Sequence, residues 1–456
     1  MKNVAIILAA GQGQRMRSKT PKVLHNIAGL SMVEHVVRSV QEAGIDQTYL
    51  VVGHQGERVS EAVPAAIHVT QHEQLGTGHA VDQCRSVLQD FCGTILVTYG
   101  DTPLFTSKTF MQVLEFHREQ NVAATVITAH MQDPMGYGRI IRDEFGHVQK
   151  IVEHKDATAQ QQEIKEINTG TYCFDSEQLF NYLAKVTPNN AQAEYYLPDV
   201  IPLMIRDQHS VAGFCIDDAQ ESMGVNDRTQ LAQAERIMQQ RVCHQQMLAG
   251  VTIIDPASTY IDLDCQIGED TIVYPSTYIQ KGSVIGSDCI VGPNVRLESA
   301  SVGSKVRIEQ AVLVDCFVGD ECLVGPFAYI RPGSSIGSNC KIGDFVEVKN
   351  SEVGPGSKIP HHSYIGDAQI GSGVNIGCGT ITCNYDGEIK CTTIIEDNCF
   401  IGSNSSLVAP VHIGQSAYIA AGSTITKPVP AGGLGIGRAQ QVNKEAWQKR
   451  RAKSDS

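Results

Sequence analysis

The sequence predicts two dissimilar folds joined end to end: an α/β domain with a largely parallel sheet, then a coiled β solenoid. Two patterns in the 456 residues carry this expectation. In the first half, short apolar runs alternate with amphipathic stretches, the order in which strands and their covering helices follow one another in a parallel sheet. From Ile267 onward an aliphatic residue instead recurs at every sixth position, a period that fits neither a helix nor a plain strand.

Within the first half, residues 4–9, 48–52, 94–98, 123–128 and 211–215 read as strands, and 32–42, 78–89 and 107–120 as helices. Residues 229–249 contain no Pro or Gly and carry apolar residues at helical spacing, so one long helix is predicted to link domains at 1–228 and 250–456. Beyond it, one aliphatic row runs through Ile267, Val273, Ile279, Ile285, Val291 and Leu297, and a second from Val312 and Val318 to Val348. Shorter rows cover Val353 to Ile365 and Ile413 to Ile425. Glycine follows many of these residues, as at Ile285-Gly286 and Ile342-Gly343, where the coil must bend without a Cβ. After Ile436 the pattern stops, and the short basic end reads as a loosely held tail.

A formal net charge of −13 argues against nonspecific binding to nucleic acid or an anionic membrane. Any anionic substrate must therefore be met by local Lys and Arg. The opening apolar run is too short for a signal peptide or a membrane span, which points to the cytoplasm. The chain has fourteen cysteines but no Cys-x-x-Cys. Cys289, Cys316, Cys322, Cys340 and Cys399 each lie four residues after a core aliphatic, so they read as reduced packing residues at one phase of the coil.

The first strand runs into Gly11-Gln-Gly13, flanked by Arg15 and Lys22. A glycine-rich turn at the carboxyl end of a parallel strand lets phosphate approach backbone N–H groups, although the dinucleotide and Walker patterns both fail here. The run Leu8-Ala9-Ala10-Gly11 to Met16, with Pro21 and Lys22, resembles the signature of the sugar-nucleotide pyrophosphorylases; Gln14 stands where threonine is usual. Gln71, Leu75 to His79, Tyr99-Gly100-Asp101, Gly136 to Ile140, Val152 to Lys155, Asn168 to Gly170 and Gly224 to Asn226 agree in order. This resemblance implies a Rossmann-like nucleotidyltransferase domain. In it Asp101 and Asn226 hold Mg²⁺, Arg15 and Lys22 offset triphosphate charge, Gln71, Gly76 and Thr77 read uracil, and Gly138, Glu153 and Asn168 hold the sugar. A strand-ending carboxylate suits a hard cation that also shares phosphate oxygens, whereas standing alone Asp101 before Pro103 would read as a surface turn.

Polar residues gather where the solenoid repeat loosens, between 359 and 395, and 380–387 read as a loop that reaches out of the coil. This half resembles the left-handed parallel β-helix (hexapeptide repeat) acyltransferases. The whole chain is similar to the bacterial bifunctional enzymes that make UDP-N-acetylglucosamine for peptidoglycan and lipopolysaccharide. That likeness implies acetyl transfer from acetyl-CoA to glucosamine 1-phosphate, then UMP transfer from UTP to N-acetylglucosamine 1-phosphate. Attack by an amine needs its free base, and His361, in a His-x-x-Tyr with Tyr364, matches the family's base, with His362 as rival. Arg331, Lys349, Tyr364, Asn375 and Lys390 match the sugar-phosphate positions, and Cys378, Asn384, Tyr385, Ser403, Ala421 and Arg438 the acetyl-CoA positions. Two departures are Cys378 for the usual alanine and Pro360 for the usual glycine. The resemblance also implies a homotrimer with sites between subunits. Two other readings stay open: a nucleotidyltransferase whose solenoid only oligomerises, and a zinc hydratase of the γ carbonic anhydrase type using His361, His362 and His412.

Overall fold

A computed structural model describes residues 2–190, 192–445 and Trp447. The chain divides into two compact units, Met1–Met238 and Gln239–Ser456. A helix, Arg228–Leu248, carries the chain from one to the other. The predicted loose tail falls largely on residues outside those described.

The central strand of the first unit is Lys2–Ala9, its apolar run buried on both faces as a covered parallel sheet requires. It pairs in parallel with Gln47–Val52 and Gly93–Tyr99, and Ile67–Thr70 extends the sheet beyond Gln47–Val52. Helices Met32–Glu42 and Ser107–Gln120 form where the sequence predicts them. A capping box in which Ser31 and Glu34 bond each other's backbone starts the first of these. The predicted helix 78–89 is shorter, Thr77–Asp82, because the backbone bonds tighten to three-residue spacing at Cys84 and Arg85. One long strand, Glu166–Asp175, went unread. It lies antiparallel between Gly93–Tyr99 and Ala124–His130, buried on both faces, so no alternation marks it, and a bulge between Asn168 and Tyr172 shifts its register. All the parallel strands end at one edge of the sheet, where Gly11, Gln71 and Asp101 follow directly.

The second unit is a left-handed parallel β-helix, a three-sided prism of stacked parallel sheets in which short strands from successive coils pair in register. Each strand turns one aliphatic residue inward, as Val291, Leu297 and Val302 do on three consecutive faces. The spacing inside the coil is not uniformly six. At the second row the buried residue is Leu313 and Val312 lies half-buried on the outside, so Val312 drops out of the predicted core row. Cys316 then stands three residues after its core aliphatic instead of four, but like Cys289, Cys322, Cys340 and Cys399 it follows a left-handed corner residue and precedes the next inward aliphatic by two, and all five are buried. Their thiols are packed, not paired.

Pairing also locates a large insertion. Glu352 pairs with Gln369, 17 residues on, but Gln369 pairs with Ile394, 25 residues on. The surplus is a hairpin closed by the Tyr385–Lys390 bridge and by Cys391 N–H donating to Asn384 O at 2.8 Å.

Candidate functional site

At the carboxyl edge of the first sheet, Leu8, Ala9, Ala10, Gly11, Lys22, Gln71, Gly76, Thr77, Tyr99, Asp101 and Asn226 line one cavity of about 360 Å³. Gly100 lies behind it, its N–H donating to Leu8 O at 2.9 Å. The glycines here have physical reasons. Gly76 has φ +108°, and a Cβ on it would come within 2.6 Å of Tyr195 O. Gly13, at φ +61°, would drive a Cβ to 2.5 Å from Lys22 Cβ, so the turn folds back onto that lysine. Gln14 starts the short helix that follows, and its side-chain amide donates to Gln12 Oε1 at 2.9 Å.

Asp101 and Asn226 converge across 125 residues of chain. The Lys22 ammonium is bonded to Asp101 and lies 3.2 Å from Asn226 Oδ1, while Arg15 reaches the same oxygen at 2.8 Å. Val225 N–H donates to Asp101 O at 2.9 Å and locks the two segments together. The donors fit Mg²⁺: two hard oxygens from the protein, with room for water and phosphate to complete the shell. Among the described residues no group of three His, Cys, Asp or Glu side chains is placed to hold a metal.

An adjoining cavity of about 490 Å³ holds the predicted sugar contacts Gly138, Glu153 and Asn168. A Cβ on Gly138 would stand 3.2 Å from Glu153 Oε1 and 3.5 Å from Asn168 Cβ, so this glycine leaves the gap that the other two enclose. Asn168 is fixed by donating to Tyr172 OH at 2.7 Å and accepting from Gly170 N–H at 3.2 Å. Desolvation by the cavity wall, then the carboxylates of Asp156 and Asp199, raise the pKa of Glu153 above the ordinary glutamate value.

In the prism the predicted residues fall into two clusters at different corners. At one corner His361 ends its strand opposite Asp344 in the coil before, and its Nδ1 lies 2.7 Å from Asp344 Oδ1. That bond is the main reason the Asp344 carboxyl sits below its ordinary pKa. Cys378, Ser403 and Ala421 stack in the coils above, tied by Asn404 N–H to Cys378 O and Gly422 N–H to Ser403 O, both at 2.7 Å. Arg438 closes the column by donating to Ala421 O at 2.7 Å.

At the next corner Arg331 bonds Glu347 at 2.7 Å, and Tyr364 lies across Gly366. Asp367 collects Asn350 at 2.6 Å, Asn384, and Lys349 at 3.9 Å. Burial works to raise the Asp367 pKa, but those hydrogen bonds and the charges of Lys349 and Lys390 outweigh it and hold the carboxyl low. Lys390 and Asp367 share a groove of about 400 Å³. Asn375 is on the outer surface of the face before His361's corner, pairing with Lys358 and Phe400, and Tyr385 stands exposed on the hairpin. A single prism therefore does not bring His361 together with Lys349, Asn384 and Lys390. His412 bonds Glu396 at 2.9 Å on the third face, apart from His361 and His362.

The nucleotidyl transferase family model matches residues 4–224, the model for the bacterial transferase hexapeptide (six repeats) matches 264–299 and 315–350, and that for the hexapeptide repeat of succinyl-transferase matches 392–427. The chain is 52% identical over 448 residues to the bifunctional protein GlmU of Geobacillus thermodenitrificans, covering 98% of each. It is 50% identical to that of Acetivibrio thermocellus, over 97% of this chain and 96% of that one, and 49% to that of Listeria monocytogenes serotype 4a, over 98% of each. The chain belongs to the GlmU family. Like the family, it is a bifunctional transferase of small molecules: it acetylates glucosamine 1-phosphate with acetyl-CoA and transfers UMP from UTP to N-acetylglucosamine 1-phosphate, giving UDP-N-acetylglucosamine and pyrophosphate for cell-wall precursors. A solenoid that only oligomerises and a zinc hydratase both give way to this reading. No helix among the described residues is long and apolar enough to cross a membrane.

Two side chains of this GlmU relative escaped the sequence reading. Asp344 and Asp367 each touch a predicted site residue, one coil away from His361 and Asn384 respectively. The usable signal was coil length: Asp344 precedes His361 by one 17-residue turn, so both must share a corner. The two departures from the family pattern are structurally quiet. Pro360 packs over Gly343, where a Cβ would stand 1.9 Å from Pro360 O, and Cys378 is exposed on the column.

Proposed function

We propose that each reaction is run in its own unit, the first by the two adjoining cavities of residues 1–228 and the second by the two prism corners of residues 250–456, the units being joined by the helix at 229–249. In the first, a phosphate oxygen of N-acetylglucosamine 1-phosphate attacks the α-phosphorus of UTP and pyrophosphate departs. No covalent nucleophile is required; orientation and charge neutralisation suffice. Gly138, Glu153 and Asn168 hold the sugar, the turn from Leu8 to Gly11 presents backbone N–H groups to phosphate, and Arg15 and Lys22 offset its charge. Asp101 and Asn226 would hold Mg²⁺, which supplies Lewis-acid neutralisation of the triphosphate when bound. The observation that carries this is the meeting of Asp101, Asn226, Lys22 and Arg15 within bonding distance. Pyrophosphate release should stop on chelation and return with added Mg²⁺; release that survives chelation refutes the metal assignment.

In the second, the glucosamine nitrogen attacks the thioester carbonyl, the N–C bond forms as the C–S bond breaks, and the proton on nitrogen passes to His361 Nε2. It then leaves with the coenzyme A thiolate. Asp344 accepts the Nδ1 hydrogen, which keeps Nε2 as the basic atom. Arg331, Lys349, Tyr364, Asn375 and Lys390 hold the sugar phosphate; Cys378, Asn384, Tyr385, Ser403, Ala421 and Arg438 line the acetyl-CoA path. Because the base and the phosphate-binding lysines sit at different corners of one prism, we infer a homotrimer in which neighbouring copies complete each site. A cytoplasmic setting fits these soluble substrates.

A further inference from the structure

We propose that His79 is a positioning residue that sets the preference for uracil over cytosine by fixing the orientation of the Gln71 amide. This rests on the expectation that Gln71, Gly76 and Thr77, which line the smaller cavity, read the uracil of UTP. Gln71 is only 4% exposed, and its Nε2 donates to Gly76 O at 3.2 Å and meets His79 Nδ1 at 3.0 Å. Both amide hydrogens are therefore used, and Gln71 Oε1 accepts no hydrogen bond from the described residues while Gln71 lines the cavity. An acceptor aimed into the cavity suits the imide N3–H of uracil and repels the N3 lone pair of cytosine.

The orientation depends on which nitrogen of His79 carries the proton. Gln83 Nε2 lies 3.0 Å from His79 Nε2 and 3.1 Å from His79 O. A neutral imidazole has one acceptor nitrogen, so one of the two amides must offer its oxygen instead. Gln83 also gives up its bond to His79 O if it turns, but it sits half-buried at the helix end, so its amide can swing out to water. Gln71 cannot reverse without setting its oxygen against Gly76 O in a buried site. The proton therefore stays on Nε2, Nδ1 accepts, and Gln71 is held with Oε1 outward.

The test is steady-state uridylyl transfer with UTP and CTP. For His79→Leu, kcat/KM for UTP relative to CTP should fall by about tenfold or more, the unit of one lost buried hydrogen bond. The change should lie in nucleotide KM, leaving KM for N-acetylglucosamine 1-phosphate in place. His79→Asn, whose Oδ1 falls near the place of Nδ1, should restore the ratio; His79→Gln, whose polar end falls near Nε2, should not. An unchanged ratio in His79→Leu, or equal ratios in the Asn and Gln variants where the Leu variant does not fold, overturns the proposal. Gln71→Leu separates the layers: if it too leaves the ratio unchanged, the base is not read in this cavity at all.

Discussion

A hydrogen bond 2.7 Å long decides which nitrogen of His361 can take a proton, and no composition or periodicity predicts that atom. His361→Ala should lower acetyl transfer by about 100-fold or more while leaving pyrophosphate release from UTP unchanged. Asp344→Asn should lower it by about tenfold, measured as coenzyme A thiol release, because the amide can donate to Nδ1 and so stabilise the wrong tautomer. Asp101→Ala should do the reverse of His361→Ala, abolishing pyrophosphate release and sparing thiol release. A different histidine contributes to acid sensitivity. Burial pushes the His117 imidazole down to about 4, and its Nδ1 meets Thr125 Oγ1 at 2.9 Å. An unfolded histidine titrates near 6.5, so between these values the unfolded chain binds the extra proton and stability falls as pH drops. The loss should reach on the order of 3 kcal/mol near pH 4. Thermal unfolding of residues 1–228 against pH should show that slope, and His117→Asn should flatten it.

At the scale of the element, the solenoid reading was right in kind and wrong in phase at one coil. A strict six-residue step places Val312 in the core, but the coil there closes in fewer residues and Leu313 turns inward instead. Leu313→Ala should therefore cost about 2–5 kcal/mol, while Val312→Ala should cost under about 1 kcal/mol, in denaturant unfolding of the β-helix. The hairpin at 384–391 is a second local feature with its own outcome. Replacing it with a regular corner should keep the far-ultraviolet dichroism of the prism yet abolish acetyl transfer, since Asn384 and Lys390 leave with it. Glu166–Asp175 shows why some elements stayed hidden. It is buried on both faces, so its residues show no alternation, and its bulge lies between Asn168, which lines the larger cavity, and Tyr172.

For the whole molecule, the decisive arrangement is the separation of His361 from Lys349, Asn384 and Lys390 onto different corners. Coexpressed His361→Ala and Lys390→Ala chains, each inactive alone, should regain acetyl transfer in mixed assemblies, because a mixed trimer contains a site with both residues intact. Light scattering should report a trimer. Recovery of nothing above either parent would mean that each chain builds its own site. Cutting the chain within the helix at 229–249 should leave pyrophosphate release with the first piece and thiol release with the second, provided the second still assembles.

Both folds could be read in the chain because each writes a repeat into residue order: alternating apolar runs for a covered parallel sheet, and near-hexads with glycine for a coil. The candidate site residues came from motifs shared with a known family. Which of them touch was decided only in three dimensions. Asp101 and Asn226 meet through pairing of strands and loops far apart in sequence, and Asp344 meets His361 because coil length sets the corner they share. Side-chain contacts across such distances depend on where the backbone closes, and a linear pattern carries no record of that closure.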